Sequence, residues 1–166
     1  IRFNGTDGFV MTGATGELLG IDGNKPRTIS FWTYVEGTNP RSQPGFYGYG
    51  DLSCPNGTNK YWAIRNIKDN NYRRFISQHW CWDPQVNHGI NIRNRWSHIA
   101  HVYTGTNVIV YFDGASAYNA ARPQISTGNS NSFQFGRWRN DGNAYFRGKL
   151  DDLRSEERRV GKECRS

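Results

Sequence analysis

Apolar and polar side chains alternate along most of this chain with a period of two, the spacing of strands that cover one face. The alternation predicts strands over Arg27–Val35, Gly45–Tyr49, Tyr61–Ile67, Arg74–Trp82, Trp96–Tyr103, Val108–Phe112, Ser132–Phe135 and Ala144–Leu153. Turn signals separate them: Asn-Gly at 56–57, Thr-Gly-Thr at 104–106, Asp-Gly at 113–114 and Asp-Gly-Asn at 141–143. No window carries the i, i+3, i+4, i+7 pattern of a long amphipathic helix. Many short strands with regular turns predict an all-β, antiparallel two-sheet sandwich or a barrel.

The alternation also assigns faces. In Trp96–Tyr103 one face carries Trp96, His98, Ala100 and Val102, and the other Ser97, Ile99, His101 and Tyr103. Neither face is purely polar, which predicts a central strand covered at least partly on both sides. In the predicted strand 74–82, Phe75, Ser77, His79 and Cys81 share one face, with Ile76, Gln78, Trp80 and Trp82 on the other.

The 166 residues amount to about one domain. Aromatic residues make up 14% of the chain, which argues against disorder. No apolar run approaches the roughly 18 residues of a membrane-spanning helix. The chain opens on Ile1 without a signal-peptide pattern, an expectation of a trimmed start from which location cannot be read.

Residues 154–166 have a different character. They hold three of the five glutamates and no aromatic residue, and their back-translation resembles a widely used sequencing adapter read in frame. The expected organisation is therefore one domain over 1–153 and a non-native tail over 154–166. Without the tail, 16 basic residues face 11 acidic ones, net +5 instead of +7, and two cysteines remain.

Several stretches, in order, resemble the laminin G-like, concanavalin A-like jelly-roll superfamily. Phe3-Asn4-Gly5-Thr6-Asp7-Gly8-Phe9-Val10 is similar to its opening strand and turn, and Thr28–Val35 to its first core strand. Trp96–Ala100 followed by Val108–Gly114 is similar to its central hairpin, and Phe146–Leu153 to its closing strand. The resemblance implies a concanavalin A-like jelly roll and leaves the ligand open, because a fold hosts sites without dictating them.

Some members of the superfamily cleave glycosides with paired carboxylates, and the usual Glu-x-Asp-x-(x)-Glu strand motif has no counterpart here. Outside the tail only Glu17 and Glu36 remain, both near predicted loops, while neighbours Asp151 and Asp152 point to opposite faces of a strand. A lyase base could come from His79, His98, His101 or one of the many tyrosines, although each histidine reads equally as a packing or surface residue. The domain reads as non-enzymatic.

The resemblance also implies a structural Ca2+, with Asp7 in the opening turn and Asp151 or Asp152 in the closing strand as oxygen ligands. The alternatives are an Asx-turn residue and a solvated strand end. Zinc lacks a suitable His/Cys spacing. A Cys54–Cys81 disulfide is geometrically plausible and would contribute roughly 3 kcal/mol; two buried thiols are the alternative. Sequons at Asn4-Gly5-Thr6 and Asn56-Gly57-Thr58 favour an extracellular, cell-surface or virion setting.

Candidate ligand-binding residues are aromatics interleaved with arginines. Trp80 and Trp82 beside Arg74 come first, and Trp138 with Arg137 and Arg139 second. Sugar C–H faces pack on indole rings while guanidinium forks meet hydroxyl, carboxylate or sulfate oxygens. With a basic net charge, this points to a non-catalytic glycan-binding or adhesion module, for acidic glycans, from a larger secreted, cell-surface or viral fibre protein. The competing expectations are a protein-interaction or structural domain, docking other domains of its own chain, and an accessory or degenerate domain of a polysaccharide-degrading enzyme. Nucleic acid fits less well, since the charge is spread out and no binding motif stands in the sequence.

Overall fold

The computed structural model describes residues 1–39, 41–67, 73–121 and 124–157. Two six-stranded antiparallel sheets face each other as a jelly-roll sandwich. The first has the order β1 (Arg2–Asn4), β12 (Arg147–Glu157), β3 (Arg27–Val35), β8 (Trp96–Tyr103), β9 (Asn107–Phe112), β10 (Ala115–Ala121). The second runs β2 (Val10–Met11), β11 (Gln134–Phe135), β4 (Gly45–Gly50), β5 (Tyr61–Asn66), β6 (Arg74–Gln78), β7 (Gln85–Asn87). Among the described residues no helix is long and apolar enough to cross a membrane.

Alternation builds the interior as expected. Ile29, Phe31 and Val35 of β3 and Ile99 and Tyr103 of β8 meet Phe46, Trp62, Ile64 and Phe75 of the second sheet in one buried cluster. Phe31 lies 5.5 Å from Phe46 and edge-on to Tyr47, and Phe46 edge-on to Phe75, the tilted arrangements aromatic quadrupoles prefer. The same inner layer holds polar groups. His101 Nδ1 lies 2.6 Å from the Tyr47 hydroxyl, and Ser77 Oγ lies 2.7 Å from both His101 Nε2 and His79 Nε2.

Three expectations need correcting. The strand from Arg74 stops at Gln78, four residues early, because the Asp83 carboxylate accepts the His79 and Trp80 amides and pulls the chain into a turn. Ala115–Ala121 forms an edge strand that its Ala-rich composition conceals. Asp113 and Gly114, with φ of 47° and 83°, make the tight turn that folds it onto β9. Strand β8 is central, as expected, with Ser97, Ile99, His101 and Tyr103 facing inward; its outer face is covered only in part, Val102 being buried, His98 and Ala100 half-buried and Trp96 exposed. The last strand starts at Arg147 and runs beyond Leu153, with Arg154–Glu157 opposite Ser30–Arg27 after a register shift. That pairing is made by main-chain groups and tolerates almost any side chain. The remainder of the tail, 158–166, lies outside the described residues.

Position 155 bears on the tail. Ser155 pairs with buried Ile29 and sits at a groove lined by Ala14, Leu19, Phe133, Phe135 and Leu153. A serine leaves this apolar groove unfilled. Ser155→Leu is expected to raise stability by about 1 kcal/mol and the melting temperature by a few degrees in thermal unfolding.

Candidate functional site

The outer face of the second sheet gathers part of the predicted aromatic–arginine set. Strand β4 is Gly-Phe-Tyr-Gly-Tyr-Gly, and its glycines let the segment after β11 lie directly on it. A Cβ at Gly45 would run into the Trp138 side chain, and one at Gly48 into the Trp138 carbonyl. Trp138 is thereby sealed at 2% exposure, with its indole N–H donating to the Gln43 carbonyl at 2.9 Å and its own carbonyl accepting from the Tyr61 hydroxyl. Tyr61, Ala63, Trp138 and Ala144 form a second small core, and Trp80 and Leu52 pack against its rim.

Two guanidinium groups cap this cluster. Arg65 lies 5.1 Å and Arg139 4.5 Å from the Trp138 ring, within cation–π range. Arg65 Nε donates to Gln78 Oε1 at 2.7 Å, and Arg139 pairs with Asp141 at 2.5 Å. Burial lowers the pKa of Arg65, with Asp83 opposing that and Arg139 adding to it. The face thus offers fixed N–H donors around an apolar floor.

Trp80 is the unusual residue of this face. Its φ is +89°, a backbone region costly for a bulky side chain. Two restraints hold it there: the Asp83 carboxylate, which accepts the amides of His79 and Trp80 at 3.0 and 3.2 Å, and the disulfide Cys54–Cys81 at the next residue. The two half-cystines have Cα atoms 6.0 Å apart and tie the segment after β4 to the segment after β6. The indole stays half-exposed.

The other predicted residues go elsewhere. Trp82 does not share a face with Trp80, because the turn at Asp83 ends the alternation; it stacks on His79 at 5.3 Å and packs against the main core. Arg137 is buried at 5% exposure, lying on the Phe9 ring at 3.4 Å and donating to Gln134 and Asn140. Arg74 sits at the far end of β6, opposite Asn87 and half-buried. His79 and His101 are wholly buried, out of reach of any substrate.

The aspartates expected to hold Ca2+ do not converge. Asn4 pairs with Arg147 and Arg2 with Lys149, so Asp7 lies past one end of this strand pair and Asp151 past the other. Arg147 and Asp151 alone are about 13 Å apart at ordinary strand rise. Asp7 accepts from the Asn4 amide at 2.7 Å, the Asp152 N–H donates to Asp151, and Asp152 pairs with Arg154. Among the described residues no group of three His, Cys, Asp or Glu could hold a metal ion. Asp7 and the Asp151–Asp152 pair therefore do not form one ion site together. Asn4 Oδ1 also accepts the amides of Thr6, Asp7 and Gly8, which commits the first sequon to its loop, whereas Asn56 is exposed in a turn.

Sequence reasoning missed the most exposed indoles. Trp32 and Trp96, 41% and 42% exposed, stand on the outer face of the first sheet. The signal was present: with Ile29, Phe31 and Val35 facing inward, Trp32 must point the opposite way.

A family model for the concanavalin A-like lectin/glucanase superfamily matches residues 4–161. The chain belongs to this superfamily. Three solved structures illustrate the range of the superfamily fold. Domain 4 of AbnA, a GH43 extracellular arabinanase from Geobacillus stearothermophilus in complex with arabinotriose, aligns over 94% of this chain and 69% of that one, with TM-score 0.63 and 20% identity. The Ruminococcus gnavus IT-sialidase CBM40 bound to α2,3-sialyllactose aligns over 94% and 87%, with TM-score 0.65 and 8% identity. The mouse laminin α1 chain, domains LG4-5, aligns over 93% of this chain but 40% of that one, with TM-score 0.59 and 14% identity. At these identities the likeness is one of fold. No curated protein matches the sequence significantly.

Proposed function

We propose that this superfamily domain is a non-catalytic, extracellular glycan-binding module that takes an acidic oligosaccharide on the outer face of its second sheet. Trp80 supplies the stacking surface, and Arg139 and Arg65 supply donors to carboxylate, sulfate or hydroxyl oxygens. The observation that carries the reading is Trp80 itself: a half-exposed indole held at positive φ by a carboxylate and flanked by a disulfide. Strained, over-determined residues of this kind cluster at ligand contacts. The basic net charge favours an acidic partner. Absence of covalent chemistry is supported by Glu36, ion-paired to Arg2 at 2.9 Å and Lys149 at 3.8 Å, and by the burial of His79 and His101. A disulfide suits a secreted protein.

The bound forms of the arabinanase domain and of the sialidase module favour a role as an accessory module beside a catalytic domain. A glycan array at low and moderate salt, with α2,3-sialyllactose among its acidic members, tests the proposal. Trp80→Ala is expected to weaken binding about tenfold or more while Trp80→Phe retains most of it. A blank array supports a protein-interaction domain instead, and product release from a polysaccharide would replace the non-catalytic reading with an enzymatic one.

A further inference from the structure

The geometry points to a second saccharide surface on the outer face of the first sheet, built on Trp32 and Trp96 and selective for neutral glycans. The choice of a glycan rests on the reading of the preceding subsection; the surface itself stands on separate observations. Strand register sets Trp32 opposite His98 and Tyr34 opposite Trp96. The four rings form two cross-strand pairs with centroids 5.3 and 5.6 Å apart. The sandwich interior is complete without them, because Ile29, Phe31, Val35 and Ile99 fill the inner positions of the same two strands.

Charges of both signs are interleaved with the rings. On β12, Lys149 pairs with Tyr34 and holds its ammonium 5.1 Å from that ring, while Asp151 pairs with Trp32. Arg2, Trp96, Lys149 and Asp151 line one shallow depression. This composition suits a sugar better than a protein. The buried centre of a protein interface is depleted in Lys and Asp, which here stand directly beside the indoles. A pyranose or furanose offers both required surfaces: C–H groups for the rings, and hydroxyls that accept from Lys149 and donate to Asp151. Arg2 and Lys149 both pair with Glu36, and with Asp151 beside them these side-chain charges sum to zero, so an acidic sugar gains nothing here over a neutral one. The two indole surfaces lie on opposite sheets, so one domain can hold two glycan segments at once.

Titration by NMR, reading the six tryptophan indole N–H signals assigned through single Trp→Phe variants, tests this on the whole domain. Arabinotriose, xylotriose, cellotriose and mannotriose at millimolar concentration are the neutral probes, and α2,3-sialyllactose is the acidic one. At least one neutral trisaccharide is expected to shift the Trp32 and Trp96 signals, in the parent domain and equally in Trp80→Ala. The double variant Trp32→Ala/Trp96→Ala is expected to bind that trisaccharide at least tenfold more weakly while remaining folded, its melting temperature lowered by no more than a few degrees through loss of the two cross-strand ring pairs. Sialyllactose is expected to move Trp80 and leave Trp32 and Trp96 still. Trp32 and Trp96 signals unmoved by all four neutral probes, or a double variant that binds as the parent does, overturn the second surface. If Trp80 then still responds to sialyllactose, the proposed function survives alone; silence at all three indoles overturns both. Movement of Trp32 and Trp96 with sialyllactose alone overturns the neutral selectivity and with it the proposal.

Discussion

Replacing Arg27 with alanine is expected to cost about 3–5 kcal/mol of folding free energy, measured as a fall in the urea midpoint. Arg27 is wholly buried between the sheets. Its guanidinium donates to the Ile21 and Gly23 carbonyls, to Thr127 Oγ1 at 2.8 Å and to the Tyr49 hydroxyl at 3.3 Å. It also lies 5.2 Å from the rings of both Trp62 and Tyr103. Truncation leaves a large buried void and removes four charge-assisted hydrogen bonds at once, although Ile21 and Gly23 each keep one other donor, the Tyr49 hydroxyl and the Thr127 amide. Lysine should recover less than half of the loss, since a single ammonium cannot span both carbonyls and stack between two rings. A loss below about 1 kcal/mol would mean that neighbouring side chains close the void left by the guanidinium.

Acid should unfold the domain earlier than its carboxylates alone would allow. Burial holds the His101 pKa well below the ordinary 6.5, with His79 and the Arg27 cation adding to the effect. His101 therefore stays neutral in the folded protein, bridging Tyr47 and Ser77, whereas the unfolded chain takes up a proton near pH 6.5. Above that pH neither state is protonated at this site and no penalty exists. Below it the unfolded state binds more protons, so stability falls by about 1.4 kcal/mol per pH unit until the folded pKa is reached. Urea titrations at pH 7, 6 and 5 should show the decline, in a window above the range where most carboxylates titrate. His101→Gln, which keeps one donor and one acceptor, should lower stability at pH 7 yet flatten the slope. An unchanged slope would assign it to other groups.

Much of the fold was legible because the interior is written in alternation. Arg27–Val35 and Trp96–Tyr103 have the boundaries their patterns predict, and the turn at Asp113-Gly114 lies where the sequence puts it. What failed depended on long-range or local polar contacts that a pattern does not record. The alternation of Phe75–Trp82 continues on paper past the point where Asp83 captures two amides and reverses Trp80. Ala115–Ala121 looks unlike a strand and becomes one because a tight turn delivers it to an open edge. The candidate site was legible only in part. Of the aromatic and arginine residues grouped in the sequence, Trp80 and Arg139 meet at Trp138 while Trp82, Arg74 and Arg137 go elsewhere, and which rings reach water depends on the segment after β11 that covers Trp138 and on the outer face that leaves Trp32 open.

Strand β12 lies between β1 and β3. During synthesis the opening strand and one edge of the first long strand must therefore wait unpaired until β12 has left the ribosome. This sheet cannot close progressively from its beginning. Nascent chains stalled before β12 should engage chaperones or associate through those edges, and the yield of folded domain should depend on how quickly translation passes from β3 to β12.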